Sequence, residues 1–334
     1  MKKLLTAISA LALTSSLAVA DPAGCDAGET VIKFSHVTNA DKHPKGLAAA
    51  LFASRVNAEM EGKVCVEVFP NSTLYGDDKE LEALLNNDVQ MIAPSVSKFE
   101  QFTKKFRMFD FPFLFKNIEA VDAYQSSPDG QALKDSMVKR GVQGLAFWHS
   151  GMKQFSANKP LMVPNDAAGL KFRVQSSDVL VEMINALGAS PQKMAFAEVY
   201  GALQTGVVDG QENTWSNIRG QKFYEVQDGV THTDHGVLDY LVGVNAQWWA
   251  SLPEDQRTQL STIMSEVTAE RNAEVNNLEM AARDALVADG VEIRELTDEQ
   301  RQAWVDVMQP VWGKFSDDVD QATIDAIQAI NAGM

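Results

Sequence analysis

Apolar positions along this chain follow two periods in turn. Val31 to Val37 alternates apolar and polar residues, which predicts a strand. Pro44 to Met60 carries Leu47, Leu51 and Val56 on one stripe, which predicts a helix opened by proline. Val64 to Phe69 is a second strand, Lys79 to Asn87 a short helix, and Val89 to Ala93 a third strand. This β-α-β-α-β order implies a parallel sheet with helices on its faces and right-handed crossovers. Asp110 to Phe115 is dense in aromatics and reads as core packing beneath a loop. Gly144 to Trp148 reads as a further strand.

The pattern then restarts. Lys171 to Gln175 is a strand, and Asp178 to Leu187 a helix closed by Gly188. Ala197 to Gln204 is a helix, Val207-Val208 a short strand, and Leu238 to Gln247 is strand-like. No low-complexity linker separates the two units. The expected architecture is therefore α/β, with two β/α lobes joined by crossing strands. Residues 21–150 plus about 239–278 are assigned to the first lobe, and 151–238 plus about 279–334 to the second. Ser251-Leu252-Pro253-Glu254 has capping-box spacing with proline at the first helical position. One helix should follow as far as Asp289, with Leu260, Ile263, Met264 and Val267 on its buried face. At roughly 1.5 Å per residue it would be about 50 Å long, enough to brace both lobes. Thr297 to Gln300 repeats the capping spacing before a last helix, broken near Pro310.

Composition agrees with this division. The 334 residues are 45% hydrophobic and 22% charged, near globular averages, and the length suits about two domains. Lys+Arg number 29 against 45 Asp+Glu, a net charge of −16. That balance argues against nucleic acid and anionic membrane surfaces as partners, because both would be repelled. Met1-Lys2-Lys3, the apolar run Leu4 to Val19 and the small residues Ala18-Val19-Ala20 predict a signal peptide over residues 1–20, cleaved before Asp21. No later stretch is apolar for the roughly 20 residues a membrane span needs. Export places Cys25 and Cys65 in an oxidising compartment. Cys25 precedes the first strand and Cys65 lies inside the second, so adjacent strands would bring them into a disulfide.

Catalytic signatures are sparse. There is no G-x-S-x-G elbow, P-loop or G-x-G-x-x-G. Ser95-Val96-Ser97-Lys98 matches S-x-x-K without its accompanying motifs, and His232-Thr233-Asp234-His235 offers an incomplete ligand set for a metal. No enzyme, metal or cofactor is expected. A cation at a strand end is more informative. Arg173 lies near the C-terminal end of its strand, where α/β folds place ligands. Gly210-Gln211-Glu212-Asn213 occupies the equivalent place after Val207-Val208. A guanidinium fork and an amide donor together make a candidate carboxylate site.

The runs Lys171-Phe172-Arg173-Val174-Gln175-Ser176-Ser177, Leu187-Gly188-Ala189-Ser190-Pro191, Met194-Ala195-Phe196-Ala197-Glu198-Val199-Tyr200, Val208-Asp209-Gly210-Gln211-Glu212-Asn213 and Lys222-Phe223-Tyr224-Glu225-Val226-Gln227 fall in order along the chain. They resemble the solute-binding proteins of tripartite ATP-independent periplasmic (TRAP) transporters, over nearly the whole mature chain. Phe34-Ser35-His36-Val37, Pro44-Lys45-Gly46, Ala93-Pro94-Ser95-Val96-Ser97-Lys98-Phe99 and Ser156-Ala157-Asn158-Lys159-Pro160 resemble the C4-dicarboxylate (DctP) type. The resemblance implies a two-lobed periplasmic binding fold that captures succinate, malate or fumarate and delivers it to the transporter's membrane subunits. It implies Arg173 as the two-pronged carboxylate ligand, Asn213 as its helper donor and Phe196 as an aromatic wall. Lys153 stands where many relatives carry a second arginine, and a lysine supplies a point charge instead of a fork.

For a second carboxylate, His36, Lys45, Ser95 and Ser97 are candidates at strand ends of the first lobe. Each has a plainer alternative: a satisfied histidine, a solvated lysine, a helix cap. Trp148 and Trp215 are candidate cleft walls, with core packing the alternative. The protein is expected as a periplasmic monomer. Another organic or sugar acid as ligand, a sensor subunit, or an enzyme acting on small acids are the competing readings.

Overall fold

The computed structural model describes residues 24–334, and the expected signal peptide with its cleavage point lies outside them. Nine strands form one continuous sheet. They are β1 (Thr30–Ser35), β2 (Val64–Phe69), β3 (Met91–Ile92), β4 (Val142–Ala157), β5 (Lys171–Val174), β6 (Ser190–Lys193), β7 (Gly210–Asn213), β8 (Gly229–Asn245) and β9 (Ile293–Glu295). The spatial order is β2-β1-β3-β8-β4-β7-β5-β6, with β9 beside β8. The triplets β2-β1-β3 and β6-β5-β7 are each parallel within themselves and have the same order. Each is one β-α-β-α-β unit, and its third strand joins one of the long antiparallel strands. The two units are thus two lobes sharing β4 and β8.

The long strands extend well past their predicted limits. Gly144 to Trp148 is only the first half of β4, and Leu238 to Gln247 mostly the second half of β8. The polar stretches 149–156 and 229–236 give no alternation, yet pairing between the strands satisfies their backbone from Val142↔Asn245 to Ala157↔Gly229. Val207-Val208 is not the strand: Val207 is an exposed turn residue, and the strand is Gly210–Asn213. That segment carries no β-former, so only its pairing with β4 and β5 reveals it.

The C-terminal helix is also corrected. It comprises Glu254–Ala273 and Val275–Ala288, interrupted at Glu274. No proline or glycine causes the break. Instead, Asn272 accepts from His149 N–H and donates to the Phe147 carbonyl, while Glu279 accepts from the N–H groups of Trp215 and Ser216. The helix is tied to β4 on one side of the break and to the second lobe on the other. Pro253 sits at the N-cap and Ser251 donates to Trp248, so no capping box forms there. Thr297 and Gln300 do form one. The last helical stretch divides into Asp298–Met308, a 3-10 segment from Gln309 and helix Gln321–Ala332. Residues 321–334 do not group with the second lobe as assigned, because Ile324 and Ile327 pack with Ile118, Val121 and Phe115 of the first. Phe111, Leu114 and Phe115 are buried in the same core.

Two glycines answer local demands. A Cβ on Gly46 would lie 2.0 Å from the Asn39 carbonyl oxygen, so the loop after β1 can fold over the helix Pro44–Glu59 only there. Gly151 has φ +135° at a register shift of β4, and its missing side chain makes room for Glu279. Next to it, buried His149 lies 2.9 Å from Asp239 and 3.2 Å from Asp122.

Cys25 and Cys65 form a disulfide with a sequence separation of 40, tying the start of the first lobe to β2. The Cys25→Ser, Cys65→Ser double variant should lose about 2–4 kcal/mol of stability in denaturant unfolding, as expected for a loop of this size. For His149, burial lowers the affinity for a proton, but Asp239 and Asp122 outweigh it and raise the group to about 9. The folded value exceeds the unfolded one, so this stabilisation is complete below about pH 6.5 and vanishes as pH rises through about 9. The melting temperature of wild type should exceed that of His149→Gln at pH 6, with the gap narrowing toward pH 9.5.

Candidate functional site

The C-terminal ends of the strands of both lobes converge on one small cavity. The first lobe contributes Val37 and Thr38 after β1, Lys45 in the first helix, Asp77 in the turn before helix Glu80–Leu85, and Pro94 and Ser95 after β3. The second contributes Arg173 from β5, Gln175, Phe196, Asn213 at the end of β7, and Asn217. Leu238 and Tyr240 of β8 close it. A wider groove runs along the outer face of β4, lined by Glu119, Asp122 and Asp135 against Lys134 and the acid-paired His149. That balance disfavours an anion, whereas the smaller cavity holds cations without matching acids.

Arg173 is 1% exposed and forms no ion pair with any described residue. Its Nε and Nη2 both donate to the Met194 carbonyl, at 3.2 and 3.1 Å. This bifurcated anchor fixes the guanidinium plane, and Nη1 has no protein partner among the described residues. The Phe196 ring lies 5.7 Å from its centre. Burial pushes the guanidinium down from its ordinary value, and Asp77 and Glu212 partly oppose this; an arginine remains charged nonetheless. Asn217 donates to the Asn213 amide oxygen at 2.8 Å, and Asn213 donates to Gln211 at 3.1 Å, so the amide orientation is set by a chain of side chains.

In the first lobe, Lys45 is completely buried. Its Nζ donates to the Ala93 carbonyl at 2.9 Å and sits 3.8 Å above the Tyr240 ring. Both partners are neutral, so this cation also lacks a paired acid. Ser95 accepts from the Ser97 N–H and bonds the Ser97 hydroxyl at 3.1 Å. Asp77 joins the lobes: Oδ2 pairs with Lys98 at 2.8 Å, and Oδ1 accepts the Phe196 N–H at 2.9 Å from the other lobe. Burial pushes Asp77 up, but Lys98 and Arg173 hold its carboxyl below the ordinary value. A second link lies at the rim, where Arg107 pairs with Glu100 and reaches Asp178 across the cleft at 2.9 Å.

The structure thus brings together Arg173, Asn213, Phe196, Lys45 and Ser95, and leaves five other candidates outside the lining. Lys153 lies 2.6 Å from Glu212, both fully buried on neighbouring strands, so its charge is already matched. Burial pushes Glu212 up, yet Lys153 and His235 hold it low. Ser97 donates to buried Asp110 at 2.7 Å. His36 is kept neutral by burial and by Lys45, which lower it to about 3, so it cannot counter a carboxylate. Trp148 donates to Thr268 and packs against Phe34 in the first lobe's core. Trp215 packs with Val199 and Ile218 in the second. Lys98 of the S-x-x-K run pairs with Asp77 instead of activating Ser95. His232 bonds Asp234 and Glu295, while His235 stacks on Phe155, so the two histidines do not converge.

Thr38, Asp77, Gln175, Asn217 and Tyr240 are lining residues that sequence reasoning did not select. Asn217 lies in the first turn of the helix Trp215–Gly220 that directly follows Asn213, and its side chain reaches back to the Asn213 amide. Tyr240 gave no signal, because β8 reads as apolar there. Asp77 was masked by the expectation of positive charge in a carboxylate site.

Two β/α units that meet through their strand ends at a cation-lined cleft define a two-lobed binding protein. Residues 34–318 match the model of the bacterial extracellular solute-binding proteins, family 7, and the chain belongs to that family. It is 62% identical over 327 residues to the C4-dicarboxylate-binding periplasmic protein DctP of Vibrio cholerae, covering 98% of each chain. A TRAP periplasmic solute-binding protein from Shewanella oneidensis, solved with bound succinate, is 47% identical with a TM-score of 0.89, over 91% of this chain and 99% of that one. Another, from Pseudomonas aeruginosa with bound L-malate, is 45% identical with a TM-score of 0.83, over 85% and 99%.

Replacing Asp77 with Ala removes a charged acceptor from the Phe196 N–H, a bond of about 1.5–3 kcal/mol. Hydrogen exchange at the Phe196 amide should accelerate roughly 10- to 100-fold, with exchange in the β1 and β2 amides unchanged.

Proposed function

We propose that this protein captures a C4-dicarboxylate such as succinate, malate or fumarate in the interlobe cleft and delivers it to a TRAP transporter's membrane subunits. The observation that carries the reading is Arg173, a buried cation without an acid partner, facing a second such cation, Lys45, across one small cavity. Two uncompensated positive charges at opposite ends suit a short molecule with two carboxylates. The ligands bound in the two similar structures, succinate and L-malate, support the same class.

On this reading one carboxylate meets the guanidinium held by Met194, with Asn213 as a further donor, above the Phe196 ring. The other meets Lys45 and the Ser95 hydroxyl in the first lobe. The lobes close because the ligand gains contacts from both only in the closed form. Asp77 and the Arg107–Asp178 pair add ligand-independent stability to that form. The protein acts in the periplasm after cleavage before Asp21, and the membrane subunits recognise the closed state. It binds and releases without turnover, a reading supported by the solute-binding family to which it belongs.

Isothermal titration calorimetry with succinate, L-malate and fumarate tests this. Arg173→Ala should weaken binding by about 2–5 kcal/mol, roughly 30- to 5,000-fold, because it leaves carboxylate oxygens unpaired in a closed cleft. Lys153→Met should chiefly lower the melting temperature, by exposing Glu212 to an unmatched burial cost, and change affinity less. Unchanged succinate affinity in Arg173→Ala, or binding of glucuronate in preference to any C4 acid, would refute the assignment.

A further inference from the structure

Glu80 opens the short helix Glu80–Leu85 and has no exposed surface. An ionised carboxylate offers about four acceptor positions. Here only the Ser35 hydroxyl donates, to Oε1 at 3.1 Å, and Oε2 has no partner at all. Glu80 forms no ion pair with any described residue. A charge buried in this way is expensive, whereas a protonated acid is not. The groups facing it are Lys45 from the first helix, Asp77 from the preceding turn and Lys98 from the segment after β3, with Lys98 already committed to Asp77. Lys45 in turn faces Glu80, Asp77, the buried neutral rings of His36 and His43, and Tyr240, whose phenol burial keeps protonated.

We propose that Glu80 is a neutral carboxylic acid standing behind Lys45, and that the ligand's second carboxylate is held only while Glu80 keeps its proton. This rests on the dicarboxylate reading above. With Glu80 protonated, Lys45 presents a whole positive charge to the cavity. With Glu80 ionised, its charge cancels that of Lys45 and repels the incoming dianion. Desolvation raises Glu80 to about 8 and lowers Lys45 to about 8, each partly opposed by the other's charge, so the exchange falls just above neutrality. A bound anion favours the protonated form of both groups. Capture above neutrality therefore takes up protons, and affinity falls as pH rises through about 8. Glu80 acts through Lys45 and is a positioning residue for charge.

The test is calorimetry of the wild-type protein with succinate at about pH 8.5, in buffers of different ionisation heat. Net proton uptake on binding is expected. Glu80→Gln leaves Lys45 as the titrating group of the pair, so net proton uptake on binding at this pH should fall below the wild-type value. Binding without proton uptake, or equal proton uptake by the two proteins, would overturn the proposal. So would a tenfold gain in affinity for Glu80→Gln at neutral pH, the result expected if Glu80 were ionised there. Wild-type protein that binds no dicarboxylate at any pH would overturn the functional reading and this one together.

Discussion

Holding a guanidinium in a closed cavity without a carboxylate beside it is the demand that organises this molecule. Burying an ion costs several kcal/mol even after relaxation, so the surroundings must offset it without neutralising it. The protein does so with dipoles and an aromatic face. The Met194 carbonyl accepts two of Arg173's bonds, and Phe196 lies beneath. The nearby acids are kept from pairing with it directly. Glu212 is matched by Lys153, and Asp77 by Lys98. The same solution appears in the first lobe, where Lys45 is held by a carbonyl and the Tyr240 ring. Charge that would otherwise be quenched internally is left for a ligand.

The crossing strands decide where these groups meet. Each lobe is a small parallel unit that places its binding residues at strand ends, and β4 and β8 set the two ends face to face. The strands are irregular near their midpoints, at His149, Gly151 and Lys153, where pairing shifts register. The C-terminal helix breaks alongside, between Asn272 bonded to β4 and Glu279 bonded to the start of the helix after Asn213. Among the strands, only β4 and β8 run through both units.

Net charge and local charge have opposite signs here. The chain carries −16, and loss of residues 1–20 would remove two lysines and no acid. Most acids lie on the surface, in solvated faces such as that of helix Glu254–Ala273. The cavity reverses this balance with very few groups, Arg173 and Lys45 against Asp77, whose charge Lys98 matches. The long-range field opposes an anion slightly and is screened by salt, while contacts inside the cleft are not.

Much of this was legible in the chain itself. Periodicity revealed the first β-α-β-α-β unit, whose strands and helices bury one face against their neighbours, but only part of the second, where the largely exposed strand Ser190–Lys193 gives no apolar pattern. Chemistry at strand ends singled out Arg173 and Asn213, since fold topology alone brings those positions to a cleft. Tertiary structure decided the rest. The full length of β4 and β8, the strand Gly210–Asn213 and the break at Glu274 depend on hydrogen bonds between segments far apart in sequence. So does the fate of each polar residue. Lys153 and Lys45 look alike in the sequence, yet one is matched by Glu212 and the other is left unpaired. Local sequence determines which elements form and where charge is available. Only packing determines which charges find a partner, and it leaves Arg173 and Lys45 without an ion pair among the described residues.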